Sequence, residues 1–237
     1  TRRTDACKLD LKKLHFHRKP IEKMLRIGVP AGIQSSMFSL SNVVIQSAVN
    51  GFGSIAVSGN AAVANLEGFE YVIVNSFHQT AVNFVGQNSG AMRYDRVKKT
   101  TWLCEIYAVI FGIVTGVLMC AFAPQLLSLY ITDSQEAISI GIARMYITVL
   151  PYCLFAIQDV ITGVLRGLGA SFISMLLSVL GICGIRILWI YTIFQIPQFH
   201  TQSVLYMSYP LSWLLTFVIQ LAAFLAVFRK LERRKEA

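Results

Sequence analysis

The chain has 237 residues, of which 55% are hydrophobic and 14% charged, and it carries a formal net charge of +9. A soluble domain of this size usually holds about 25% charged residues, so these figures weigh against a single soluble helical core. Five dispersed cysteines match no zinc, redox or disulfide pattern and read as ordinary packing residues.

The chain opens on Thr1–Pro20, which is basic and lacks the apolar core and cleavage pattern of a secretory signal. With no initiating Met, this start is expected to be a cut through a longer protein. Residues 1–26 are assigned to a basic cytoplasmic connection. Six apolar stretches follow, at Ile27–Asn50, Ala61–Val85, Trp102–Ala123, Ile138–Ile161, Ser171–Phe194 and Ser203–Phe228. A helix of about twenty residues, rising 1.5 Å per residue, crosses a hydrocarbon core of roughly 30 Å. Backbone groups cannot stay unpaired in lipid, so such spans must be helices. The expected fold is an all-α integral membrane protein with six transmembrane helices over residues 27–228 and a basic tail over residues 229–237.

Basic residues alternate with the spans. Nineteen of the 21 Lys and Arg residues lie before the first span, between the second and third, between the fourth and fifth, or after the sixth. The connections Gly51–Asn60, Pro124–Ala137 and Gln195–Gln202 contain none. The positive-inside rule therefore puts both termini in the cytoplasm, in a multi-pass protein of the cell inner membrane or cytoplasmic membrane. Topology and anionic headgroups explain the basic patches, so no nucleic-acid partner is expected.

Of the outer connections, the one holding Pro124 and Asp133 is expected to contain a bend or short surface helix, and the last a reentrant or interfacial turn. Trp189, Tyr191, Tyr206, Tyr209 and Trp213 are placed in an outer aromatic belt, as lipid-facing anchors or as rings that stack on a substrate. The prolines Pro151 and Pro210 are expected to interrupt the fourth and sixth spans. Small-xxx-small spacing at Gly28–Gly32, Gly112–Gly116 and Gly163–Gly167 predicts close helix packing.

The second span carries most of the polar signal. Glu67, Tyr71, Asn75 and His78 recur at steps of three or four and share one stripe, with Glu70 at its border. Such groups face a bundle interior or an aqueous cavity. Three readings stay open: a lining for cation or proton passage, hydrogen bonds that pair helices, or interfacial placement of Glu67. No nucleophile or metal-ligand cluster accompanies the carboxylates, so no catalytic residue, metal site or enzyme activity is expected. Arg186, midway along the fifth span, needs a partner: Glu70, backbone carbonyls, or water reached by snorkelling. Arg144 is expected to snorkel from the outer end of span four. Asp159 and Arg166, near its cytoplasmic end, are open to structural or substrate contacts.

Four segments together resemble the multidrug and toxic compound extrusion (MATE) family, especially its bacterial damage-inducible branch. They are IGVPAGIQSSMFSLSNVVIQSAVNGFGS at Ile27–Ser54, VGQNSGAMRYDRVKK at Val85–Lys99, GVLRGLGAS at Gly163–Ser171 and LYMSYPLSWLL at Leu205–Leu215. The resemblance covers nearly the whole chain, as the C-terminal six-helix half of a normally twelve-helix transporter. It implies a secondary antiporter that exports organic cations, drugs or metabolites in exchange for sodium ions or protons. It implies no cofactor beyond that coupling ion. The implied partners are the lipid bilayer, an N-terminal six-helix lobe and a small organic or cationic substrate. The resemblance also places residues of the first, second and fourth spans toward a cavity between the lobes. The candidates for the substrate or coupling cavity are Gln34, Glu67, Glu70, Tyr71, Asn75, His78, Asp159 and Arg186. Two acidic sodium ligands of one MATE branch fall here at Phe38 and Phe155, with Asp159 one turn later, so that ion site does not carry over. In the damage-inducible branch the main coupling carboxylate belongs to the other lobe. The competing function is a membrane scaffold or receptor of the same fold that transports nothing.

Overall fold

The structure, a computed structural model, describes residues 17–236. The first sixteen residues of the basic connection lie outside it. The described part of that connection is already helical, because α1 runs Arg18–Asn50 and begins nine residues before the expected span. A turn at Gly51–Gly53, where Gly53 takes φ 90°, leads into α2, Ser54–Gly90. An L side chain rarely adopts that φ, so glycine suits the corner. Next come α3, Tyr94–Ala121, and the short α4, Ala123–Ser128, which has Pro124 in its first turn. A short helix thus stands where the sequence suggests a bend or surface helix.

The fourth span is broken. α5 covers Gln135–Thr148 and α6 covers Tyr152–Gly167, and the two meet at 49° around Pro151. Proline lacks the N–H that would continue the ladder, and its ring crowds the carbonyl four residues back. After a turn in which Gly169 takes φ 82°, α7 (Ser171–Ser178), a wider π-helical turn (Val179–Gly184) and α8 (Ile185–Tyr191) follow one another directly. Two short 3-10 turns at Ile193–Gln195 and Pro197–Phe199 make the last connection. There His200 Nδ1 lies 2.9 Å from the Phe194 carbonyl oxygen. The last described helix is α9, Gln202–Glu236, which runs through Pro210 without the interruption expected there and carries on into the basic tail.

Among the described residues three helical segments are long and apolar enough to cross a membrane, and the bent α5–α6 pair makes a fourth if counted as one span. α1 and α2 have the length, at 33 and 37 residues, but fall short in apolar composition. Their polar residues are the reason, and those residues mark the site.

α2 is the centre of the lobe, packed against α3, α5 and α6, while α1 leans mainly on α7. Glycines allow the closest approaches. A Cβ at Gly116 would sit 2.7 Å from the Val149 carbonyl oxygen, and one at Gly163 would sit 2.7 Å from that of His78. A Cβ at Gly28 or Gly32 would meet nothing within 4 Å among the described residues, so that spacing does not make the expected close packing there.

Candidate functional site: a polar face and an aromatic cavity

The surface of α3 differs from those of α1 and α2 in the polar residues it exposes. From Trp102 to Leu118 the exposed positions of α3 are all large and apolar, including Leu103, Ile106, Ile110, Val114 and Val117. That is a face suited to lipid. α1 exposes Ser35, Ser36, Ser39 and Asn42 beside Ile33, Leu40 and Val43, and α2 exposes Asn65, Ser76, Gln79, Thr80 and Asn83 beside Phe69, Val72 and Phe84. Several of these satisfy themselves locally: the hydroxyls of Ser35, Ser36, Ser39, Ser76 and Thr80 each donate to the carbonyl four residues back. Satisfied or not, polar side chains at this depth favour water or another polar surface over hydrocarbon.

The predicted residues fall into separate groups. In the first, Arg144 is buried and does not snorkel. Its Nη2 lies 2.6 Å from Glu67 Oε2, and its Nη1 donates to Asn60 Oδ1 at 2.6 Å. The hydroxyl of Thr148 donates to Glu67 Oε1 at 2.6 Å. Both oxygens of Glu67 are therefore occupied, and α2 is tied to α5.

The second group joins three helices near the predicted cytoplasmic side. Arg166 Nη2 donates to Gln34 Oε1 at 2.7 Å, and its Nη1 lies 3.4 Å from His78 Nε2. A guanidinium only donates, so Nε2 is the acceptor of this contact in the tautomer that carries its proton on Nδ1. Nδ1 lies 2.8 Å from the Asp159 carbonyl oxygen and 3.2 Å from its Oδ1. Gln34, His78, Asp159 and Arg166 thus form one chain across α1, α2 and α6.

Glu70 joins neither group. It is buried between α2 and α3, where its Oε1 accepts from Thr115 at 2.9 Å. It does not pair with Arg186, which corrects that candidate pairing. The reason is rotational: three residues along a helix turn the side chain by about 300°. That suffices to aim Glu67 and Glu70 at different neighbours, α5 and α3.

The third group is a cavity of about 250 Å3 between α1, α2, α6, the π turn, α8 and α9. Tyr71, Phe155, Tyr209 and Trp213 line it, and Glu67 and Arg186 are its charged members. Asn75 stands just beyond and donates to the Tyr71 hydroxyl at 3.2 Å. Arg186 donates from Nε to Ser212 Oγ at 3.1 Å, and its guanidinium carbon sits 4.0 Å from the Tyr209 ring centroid. It therefore neither snorkels nor meets Glu70. The aromatic belt is corrected as well: Tyr206 and Trp213 are buried, while Tyr191 is exposed. The cation draws the rings of Tyr209 and Trp213 inward.

Two polar features escaped the sequence reading. Gln158, Thr162, Gln220 and Ser178 form a buried hydrogen-bonded chain joining α6, α9 and α7. The two glutamines lie within apolar spans and were the available signal. Glu105 has both carboxyl oxygens buried without a hydrogen-bond partner among the described residues. An isolated carboxylate in the third span is a sequence signal of the same kind as Glu67.

The fold compares directly with known proteins. Residues 30–192, more than half of the chain, match the MatE family profile. The chain belongs to the MatE family. Among curated MatE relatives it is 29% identical over 174 residues to the probable multidrug resistance protein YoeA of Bacillus subtilis, covering 73% of this chain and 37% of that protein. It is also 29% identical over 166 residues to the probable multidrug resistance protein NorM of Halalkalibacterium halodurans, covering 66% and 34%. In fold it resembles the MATE transporter VcmN of Vibrio cholerae in its bent form, with a TM-score of 0.79 at 17% identity, over 90% of this chain and 48% of that one. The chain spans a little over a third of the length of those two curated relatives. The MATE fold is shown, in a helical membrane protein.

Proposed function

We propose that this chain is the C-terminal lobe of a secondary antiporter of the damage-inducible branch, exporting small organic compounds in exchange for sodium ions or protons. The exposed polar face of α1 and α2 carries this reading. Such a face is costly against lipid and is accommodated by a second lobe across an aqueous cleft. The cavity at Arg186 opens among the same helices. Residues 1–26 then connect the lobes, residues 27–228 form the transport lobe, and both ends of the chain lie in the cytoplasm.

The test compares the full-length parent with this fragment, each reconstituted in vesicles under imposed sodium and proton gradients. The parent is expected to move substrate when a gradient is imposed, and the fragment to stay at the leak of protein-free vesicles. A parent inert under both gradients, though correctly inserted, would reject the export reading. Cysteine tags within residues 93–99 and after Leu231 should report the cytoplasm, and tags within residues 51–60 the outside. Finding the first two on opposite faces would overturn the topology.

A further inference from the structure

The cavity holds two charged side chains, and only one has its charge matched by protein. Glu67 is fully engaged: Arg144 Nη2 and Thr148 Oγ1 each approach one of its oxygens at 2.6 Å. Arg186 lies on the other wall and is 6% exposed. Among the described residues no carboxylate comes within 4 Å of its guanidinium, and its hydrogen bond is to the neutral Ser212. The cavity is therefore left with one positive charge held in aromatic walls.

A charge buried this far is costly unless it is paired. The packing fixes the guanidinium as well as burying it. Nε is held by Ser212, and the cation lies 4.0 Å from the Tyr209 ring centroid and 6.0 Å from that of Trp213. Stacking and the Nε contact leave the two Nη groups as the planar fork that recognises carboxylate, sulfonate and phosphate. Trp213, Tyr152 and Phe155 form a cluster with centroids 5.0 to 5.6 Å apart beside it. Such a cluster suits a flat ring. A cationic ligand here would face Arg186 with no free carboxylate to offset the repulsion.

We propose that this cavity takes aromatic anions, with the acidic group on Arg186 and the ring against Tyr209, Trp213 and Phe155. The proposal rests on the export reading and narrows its substrate class, where the family resemblance implies organic cations, drugs or metabolites. At about 250 Å3 the space is smaller than a whole drug site, so this lobe supplies the acid-binding end.

Indole-3-acetate and tryptamine share one ring and carry opposite charges, which makes them the probes. Equilibrium binding of each, radiolabelled, is measured on the purified full-length parent and on Arg186→Gln and Arg186→Lys. Indole-3-acetate is expected to bind about ten-fold tighter than tryptamine, as a charged hydrogen-bonded pair allows. Arg186→Gln should remove that preference by weakening the acid alone, and Arg186→Lys should restore part of it. Equal affinities, tighter tryptamine binding, or binding of neither probe overturns the proposal. So does a preference that survives Arg186→Gln, which is the result if the opposing lobe supplies a carboxylate to this arginine. The wild-type ratio decides the matter alone if the glutamine variant does not fold. Gradient-driven movement of tryptamine without indole-3-acetate binding would sink the anion proposal and leave export standing. Indole-3-acetate binding with no gradient-driven movement of either probe would do the reverse.

Discussion

Arg144 and Arg186 are both buried in apolar spans, but their neighbours assign them different work. Arg144 meets a carboxylate and an amide oxygen, and its charge is used up inside the lobe. Arg186 meets a hydroxyl and two aromatic rings, and its charge is left facing a cavity. The first arrangement ties helices together. The second presents a charge to something outside the lobe. Burial alone would not separate them, since they are 3% and 6% exposed. What separates them is whether a carboxylate lies within reach.

The largest expected effect follows from breaking the closed pair. Arg144→Leu leaves the partly buried Glu67 without its cation and should cost about 3 kcal/mol, the low end for breaking a buried pair. The readout is the unfolding temperature of the purified parent in detergent. Adding Glu67→Leu should recover much of the loss; a double variant no better than the single would show that the pair is not what matters. Arg186→Gln removes a cation that lacks a carboxylate and should change the same temperature far less. An equal loss at both arginines would erase the distinction.

An intermediate effect comes from the glycines behind each arginine. A Cβ at Gly59 would lie 2.6 Å from the Ala137 carbonyl oxygen, where α2 meets α5 one residue before Asn60. Gly59→Val should cost about 1–3 kcal/mol by forcing those helices apart, and circular-dichroism melting would report it. A Cβ at Gly181 would lie 2.9 Å from Thr216 Cβ on α9. Gly181→Val should shift the π turn from α9 and weaken indole-3-acetate binding, because Arg186 follows that turn. Unchanged binding would show that Arg186 is positioned by Ser212 and the rings alone.

Ser212→Ala should have the smallest effect, about 1 kcal/mol, through loss of one hydrogen bond to Arg186. Tryptophan fluorescence of Trp213 during thermal unfolding would follow it, after the other tryptophans are replaced. A loss as large as that of Arg144→Leu would mean that Arg186 is structural.

Much of this was legible in the residues. Polar stripes and glycine pairs report which side of a helix is special, because a helix repeats every 3.6 residues. They do not report what that side meets. Gly163–Gly167 packs on α2, whereas Gly28–Gly32, with the same spacing, packs closely on nothing among the described residues. Tyr209 and Trp213 suit an interfacial belt equally well, until Arg186 is placed beside them.

The sequence by itself determined the helical membrane class and the alternation of basic connections. Both depend on local composition: hydrocarbon length and charge beside a span. A missing backbone N–H did not suffice, because Pro151 sits at a break while Pro210 lies within a continuous helix. Only the tertiary structure decided that Glu67 meets Arg144, 77 residues away, while Glu70 meets Thr115 and Arg186 meets no carboxylate among the described residues. Those choices depend on the lateral order and rotation of packed helices. A rotation of one helix by a fraction of a turn changes every partner without altering the apolar pattern along the chain.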